Sequence, residues 1–127
     1  MKLALDTNAY SAAARGEERA VALLRAADRL TVPFVVLGEL RAGFASGGQG
    51  RRNEAALTRF LTSSRVDVLY PDEQTTHHYA SVFAQLRRQG TPIPTNDIWI
   101  AALVLQHDLV LYTDDEHFSR VPQIARA

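Results

Sequence analysis

The sequence predicts an α/β protein built on a mostly parallel sheet with helices on both of its faces. Three observations carry that prediction: short apolar segments recur along the chain, helical segments separate them, and two of the apolar segments end at acids. Parallel strands need a crossover long enough to hold a helix, so a strand–helix rhythm of this kind points to parallel pairing. With 127 residues and 46% hydrophobic content, residues 1–127 are expected to form one domain.

Lys2 to Leu5 is a first strand that stops at the polar turn Asp6-Thr7-Asn8. Ala9 to Ala27, interrupted at Arg15-Gly16, predicts two short helices, the second with Ala20, Leu23, Leu24 and Ala27 on one stripe. Leu30 to Pro33 is a second strand. Phe34 to Phe44 has apolar residues at helical spacing, with Pro33 where a proline starts a helix and Glu39 inside it. Gly43 to Gly50 is expected as a loop before an amphipathic helix running to Leu61. Val66 to Leu69 is a third strand, and Pro71-Asp72-Glu73 leads into a helix over Thr75 to Arg88. Gly90, Pro92 and Pro94 end that helix. Thr95 or Asn96 is expected to cap the next one, which carries Asp97 in its first turn. Leu109 to Tyr112 is a buried strand, followed by Thr113-Asp114-Asp115 and a helical turn near Phe118. The short stretch beyond Phe118 leaves a last strand unassigned.

The absence of cysteine excludes thiolate ligands, a cysteine nucleophile and a disulfide scaffold. The first carboxylate comes before any apolar run of signal-peptide length, and no later run approaches membrane-spanning length, so a soluble, cytoplasmic protein is expected. The formal net charge of 0 removes the global basic excess of many nucleic-acid binders. What remains is local: Lys2 is the only lysine, and Arg41, Arg51 and Arg52 stand together as candidates for RNA phosphate contacts.

Asp6 and the Asp114-Asp115 pair directly follow apolar strands, and Asp97 opens a helix. In an open parallel sheet the ligand crevice lies at the carboxyl ends of the strands, which places all of these at one rim. Glu39 joins them if its side of the helix faces that rim. Each acid alone has a plainer reading. Asp6 can cap a helix, Asp97 can be a favourable charge at a helix start, Glu39 can face solvent, and Asp114-Asp115 can be turn residues. Together they would repel one another and take up protons unless a cation joined them. An oxygen-rich site of this kind favours Mg²⁺ or Mn²⁺ and suits attack on a phosphodiester.

Four segments in this order resemble the PIN-domain nucleases, and more narrowly the VapC-type toxins of bacterial toxin–antitoxin pairs. They are Leu5-Asp6-Thr7-Asn8, the stretch from Val35 to Gly43 around Glu39, the stretch from Asn96 to Ala102 around Asp97, and Thr113 to Phe118. The resemblance implies a PIN-like three-layer α/β/α sandwich and Mg²⁺- or Mn²⁺-dependent hydrolysis of RNA. It also implies a homodimer and a VapB-like antitoxin as partner. Asp6, Glu39 and Asp97 match the first three acids of the family and Asp115, two residues after Thr113, the fourth; these are the expected catalytic and metal-binding residues. Asn8 and Thr113 match polar companions of such sites, and Asp114 is expected beside them. The antitoxin is expected in a groove between the helices bearing Tyr10, Val36, Leu40 and Phe44.

Two other functions fit the residues less well. A PIN-like module that binds nucleic acid or protein without cutting would tolerate loss of an acid, whereas all four are present. A phosphotransfer protein with Asp6 as nucleophile would want a second aspartate where Asn8 stands and a downstream lysine, which is absent. Gly47-Gly48-Gln49-Gly50 lacks the Gly-Lys-Ser/Thr that would make it a phosphate cradle and is a connection. His77, His78 and His107 have no partners at ligand spacing; His117 is expected to pack or to support the acids, and Trp99 to pack in the core or at a dimer contact.

Overall fold

A computed structural model describes residues 1–127. Five parallel strands lie at its centre: β1 (Lys2–Leu5), β2 (Arg29–Pro33), β3 (Val66–Leu69), β4 (Val110–Tyr112) and β5 (Ala125–Arg126), in the order β3-β2-β1-β4-β5. Six helices flank them: α1 (Thr7–Ala14), α2 (Glu18–Ala26), α3 (Phe34–Ser46), α4 (Gly50–Leu61), α5 (Glu73–Gln89) and α6 (Thr95–Gln106). This is the expected α/β arrangement. Leu3, Ala4 and Leu5 are all fully buried, so β1 is covered on both faces, as the centre of a parallel sheet must be.

The connections follow from local chemistry. Gly16 takes φ +81°, a conformation that side chains resist, and breaks the chain between α1 and α2. The glycine-rich stretch is less of a loop than expected. Helix α3 continues to Ser46, whose hydroxyl donates to the Ala42 carbonyl, leaving Gly47 to Gln49 as the connection. A Cβ on Gly50 would stand 2.6 Å from the Phe44 carbonyl oxygen, so a glycine is needed for this tight reversal. Helix α5 begins at Asp72, whose side chain accepts from the Thr75 N–H while the Thr75 hydroxyl accepts from the Asp72 N–H.

Helix α6 corrects the expected cap. Its first carbonyl acceptor is Pro94, which takes the N–H groups of Asp97 and Ile98 at 3.0 and 3.2 Å. Thr95 and Asn96 are therefore already inside the helix, where the extended cap conformation is unavailable to them, and neither forms a side-chain cap. The helix then buries Ile98 and every residue from Ile100 to Val104. Burial on nearly all sides fixes its position, and with it that of Asp97 in its first turn.

The stretch after Phe118 does reach the sheet. Phe118, Val121 and Ile124 are buried, and they bring Ala125 and Arg126 alongside Val110 and Leu111. No helix is long and apolar enough to cross a membrane.

Candidate active site

Leu5 pairs with Tyr112 across β1 and β4, so the chain leaves both strands at the same level. The next residues, Asp6 and Thr113, are therefore neighbours. Asp6 is only 5% exposed, with both carboxylate oxygens held: Oδ1 accepts from the Ala9 N–H at 2.8 Å and Oδ2 from the Thr113 hydroxyl at 2.5 Å. The plain reading of Asp6 as a helix cap is thus correct and incomplete, because a carboxylate oxygen has a second lone pair to offer. Burial pushes its carboxyl above the usual range, and the charges of Asp115 and Asp97 push it further, against the two hydrogen bonds.

The other acids arrive from three elements. Asp97 comes from the first turn of α6, and its Oδ2 lies 2.8 Å from Nδ1 of His117. Desolvation raises its carboxyl as well; the His117 hydrogen bond opposes this, while Asp115 and Glu39 add to it. Asp115 follows β4, its N–H donating to the Thr113 hydroxyl at 3.0 Å and its Oδ1 accepting from the His117 N–H at 2.9 Å. Glu39 is on α3, where its Oε1 accepts from the Thr7 hydroxyl at 2.8 Å. Asp6, Glu39, Asp97 and Asp115 are thus electrostatically coupled.

Asp114 and Asp115 point different ways. The Asp114 side chain is 80% exposed and 3.6 Å from Arg19, whereas Asp115 is 30% exposed and lies 3.2 Å from His117 Nδ1. Successive residues of extended chain face opposite sides. Asp114 therefore does not support the acids as expected; it pairs with Arg19 on the surface. Asn8 is exposed and makes no side-chain hydrogen bond within the chain, and the polar contact expected there comes from Thr7 instead. Thr7 was missed, since a threonine opening a helix carries no sign of a distant glutamate. His117 touches two acids rather than one packing partner. With Asp97 ionised, the contact requires the proton on Nδ1, since a carboxylate can only accept.

The donor set can be judged from these contacts. No lysine or arginine lies within ion-pair distance of any of the four acids. Each acid is instead oriented by a neutral donor or by His117, as ligands of a cation commonly are. The Asp97 and Asp115 oxygens and a His117 ring nitrogen lie within 4.8 Å of one another. With four carboxylates and one imidazole the set is dominated by oxygen, and hard divalent cations such as Mg²⁺ fit it.

Elsewhere, Val36 and Leu40 are in the core, 0% and 4% exposed, so they do not line the groove expected between their helices and that of Tyr10. An apolar groove of about 410 Å³ lies instead between α1, α2 and α4, lined by Tyr10, Ala13, Val21, Leu24 and Phe60 among others. Arg41 is paired with Glu54, its Nε 2.9 Å from Oε1, and Arg51 and Arg52 project from the start of α4. Trp99 packs against Tyr79 with the rings tilted by 33° and 4.1 Å between their centres.

One buried acid and three half-buried ones, brought together beyond the ends of β1 and β4 and from α3 and α6, define an α/β protein with an acidic centre. The chain matches the PIN domain over residues 3–124 and belongs to that family. It is 39% identical over 98 residues to "Ribonuclease VapC1" of Haemophilus influenzae strain 86-028NP, covering 76% of this chain and 72% of the relative. It is 33% identical over 97 residues to "tRNA(fMet)-specific endonuclease VapC" of Salmonella typhimurium, with coverage of 76% and 72%. The fold superposes on the structure of VapBC-1 from nontypeable Haemophilus influenzae with a TM-score of 0.86, at 29% identity over 100% of this chain and 97% of that one.

Proposed function

We propose that this chain is the toxin of a VapBC-type pair, an Mg²⁺- or Mn²⁺-dependent endoribonuclease whose catalytic acids are Asp6, Glu39, Asp97 and Asp115. The observation that carries this reading is the set of coupled acids without a protein counter-charge. A phosphodiester is itself anionic and would be repelled by such a site. The ribonuclease names of its relatives supply the reaction class.

Asp6, Asp97, Asp115 and Glu39 would hold the cation. When bound, it supplies charge neutralisation at phosphate and a more acidic water. The chain's own part is orientation. Thr113 and the Ala9 N–H fix Asp6, His117 holds Asp97 and Asp115, and Thr7 holds Glu39 across from them. Hydrolysis adds water oxygen to phosphorus and a proton to the departing 3′ oxygen, leaving a 5′-phosphate and a 3′-hydroxyl. The test is Mg²⁺-dependent cleavage of structured and unstructured RNAs by the wild type and by Asp6→Asn. Cleavage is expected of the first alone, and full cleavage by the variant would sink the site assignment.

The partner is a VapB-like antitoxin. Solved relatives include VapBC complexes, among them a DNA-bound one from Salmonella typhimurium superposing with a TM-score of 0.88 at 29% identity. The apolar groove between α1, α2 and α4 is where its hydrophobic anchors would seat. A homodimer is the expected assembly. Exposed Phe34 and Phe83 lie close to Tyr70 and Tyr79 respectively, beside Trp99, and a second copy would cover these rings. Light scattering of the purified chain tests it: a monomer at all concentrations excludes the dimer.

A further inference from the structure

The surface between α3 and α4 has a different character from the acidic centre. An open groove of about 720 Å³ is lined there by Arg41, Phe44, Arg51, Glu54, Thr58 and Arg59, among others. Glu54 is already occupied, accepting from Arg41 at 2.9 and 3.4 Å and from the Thr58 hydroxyl at 3.4 Å. Arg51 and Arg59 have no carboxylate within ion-pair distance. The groove therefore holds three guanidinium groups against one acid in a chain whose net charge is 0.

This placement does nothing for the helix. Arg51 is in the first turn of α4, which has no acid, although the positive end of a helix favours negative side chains by roughly 0.3–1 kcal/mol each. Nor is the groove remote from the acidic centre. Arg41 follows Glu39 by two residues and so lies on the other side of α3, but Phe44, which lines the groove, also borders a cleft with Tyr10 and Ser11 of α1. Glu54 and Arg59 also stand within electrostatic reach of Tyr10, one turn after Asp6 on α1.

We infer that the α3–α4 groove binds a backbone phosphate of the RNA substrate outside the scissile position, with Arg51 and Arg59 as its ligands and Arg41 held in place by Glu54. The inference rests on the ribonuclease reading for the identity of the polyanion. Arginine's planar fork matches two phosphate oxygens at once. Phe44 adds an apolar wall on which a sugar or base can rest. The site resolves an electrostatic problem of the fold, since RNA drawn to a centre crowded with acids needs a cationic anchor nearby. It also revises the expected set of phosphate contacts: Arg59 joins, and Arg52 does not line the groove.

The test uses anisotropy of a labelled single-stranded RNA with the Asp97→Asn chain in Mg²⁺, so that nothing is cut, over a range of salt. Adding Arg51→Ala and Arg59→Ala should weaken binding about tenfold or more and reduce the salt slope by about 0.7 for each phosphate no longer neutralised. Lysine at both positions should recover part of the affinity, and Arg88→Ala, on α5, should change nothing. Affinity and slope equal to the parent's overturn the inference, as does a parent that binds no RNA. If the double variant binds RNA normally but no longer holds its protein partner, the groove belongs to the partner and the inference is again overturned. Cleavage by the wild type, assayed alongside, is a separate readout. Groove-dependent binding without cleavage would sink the ribonuclease reading and leave the groove standing.

Discussion

The Thr113 hydroxyl donates to Asp6 Oδ2 at 2.5 Å and at the same time accepts the Asp115 N–H at 3.0 Å, so one hydroxyl ties two acids from neighbouring strands. That arrangement needs an acceptor at position 6. In Asp6→Asn, one side-chain group becomes an NH₂; if it faces Thr113, the hydroxyl is offered two donors and its own proton is left without a partner. The variant should fold, since the opposite oxygen can still cap α1. It should lose RNA cleavage, and Mg²⁺ should no longer raise its melting temperature, because the ion stabilises only what it binds. Thermal melts with and without Mg²⁺ check this; an undiminished Mg²⁺-induced rise would remove Asp6 from the cation site.

Asp115→Asn should cut the cleavage rate by roughly 10²–10³-fold, by analogy with loss of one preorganised electrostatic group. Asp114→Asn should stay near the wild type, since that side chain is 80% exposed and faces Arg19. Rates at saturating Mg²⁺ decide between them, with Mn²⁺ separating weakened affinity from lost chemistry. The reverse pattern would put the register of this turn wrong by one residue.

Much of this was legible from spacing. Apolar runs at Leu3–Leu5 and Leu109–Tyr112, each ending at polar residues, mark strands whose acids meet at a rim, and a parallel sheet forces that meeting. Interactions that depend on a side chain's direction were not legible. Thr7 reaches Glu39 across 32 positions of sequence, and Val36 turns inward rather than lining a groove, because helix orientation is set by packing and not by period alone. The Gly43–Gly50 stretch misled for a related reason. Glycine weakens a helix by only about 1 kcal/mol, which the packing of Leu40 and Phe44 can outweigh.

Thr7→Val keeps the shape of the side chain and removes the donor to Glu39 Oε1. Glu39 would then sample more rotamers near the acids. Removing such an outer hydrogen bond typically costs about 10–100-fold in metal affinity or activity. Isothermal titration with Mn²⁺ should show the loss, with melting little changed; unaltered Mn²⁺ affinity would make the hydrogen bond merely structural.

Asp72 gives a pH dependence remote from the acids. Gln106 and the Thr75 N–H donate to it and hold its carboxyl below the ordinary range. A depressed carboxyl stabilises the fold fully above its unfolded value of 3.8, and that contribution is lost as pH falls through the folded value. Wild type should therefore melt above Asp72→Ala at neutral pH, with the gap narrowing as pH drops below about 4. A gap independent of pH would mean that packing, not the charged cap, holds the start of α5.

The groove between α1, α2 and α4 makes the partner reading testable without touching an acid. Val21 lines it and is only partly buried, so a charge can replace it without entering the core. Val21→Glu should leave RNA cleavage intact while setting a carboxylate against the apolar anchors of the antitoxin. Loss of a well-buried anchor costs about 2 kcal/mol or more, roughly 30-fold in affinity. The measurement is a titration of the antitoxin into a cleavage assay. Inhibition of the variant should need a correspondingly higher antitoxin concentration. Inhibition at the wild-type concentration would place the antitoxin on another surface, and loss of cleavage by the variant alone would show that the groove also serves the substrate.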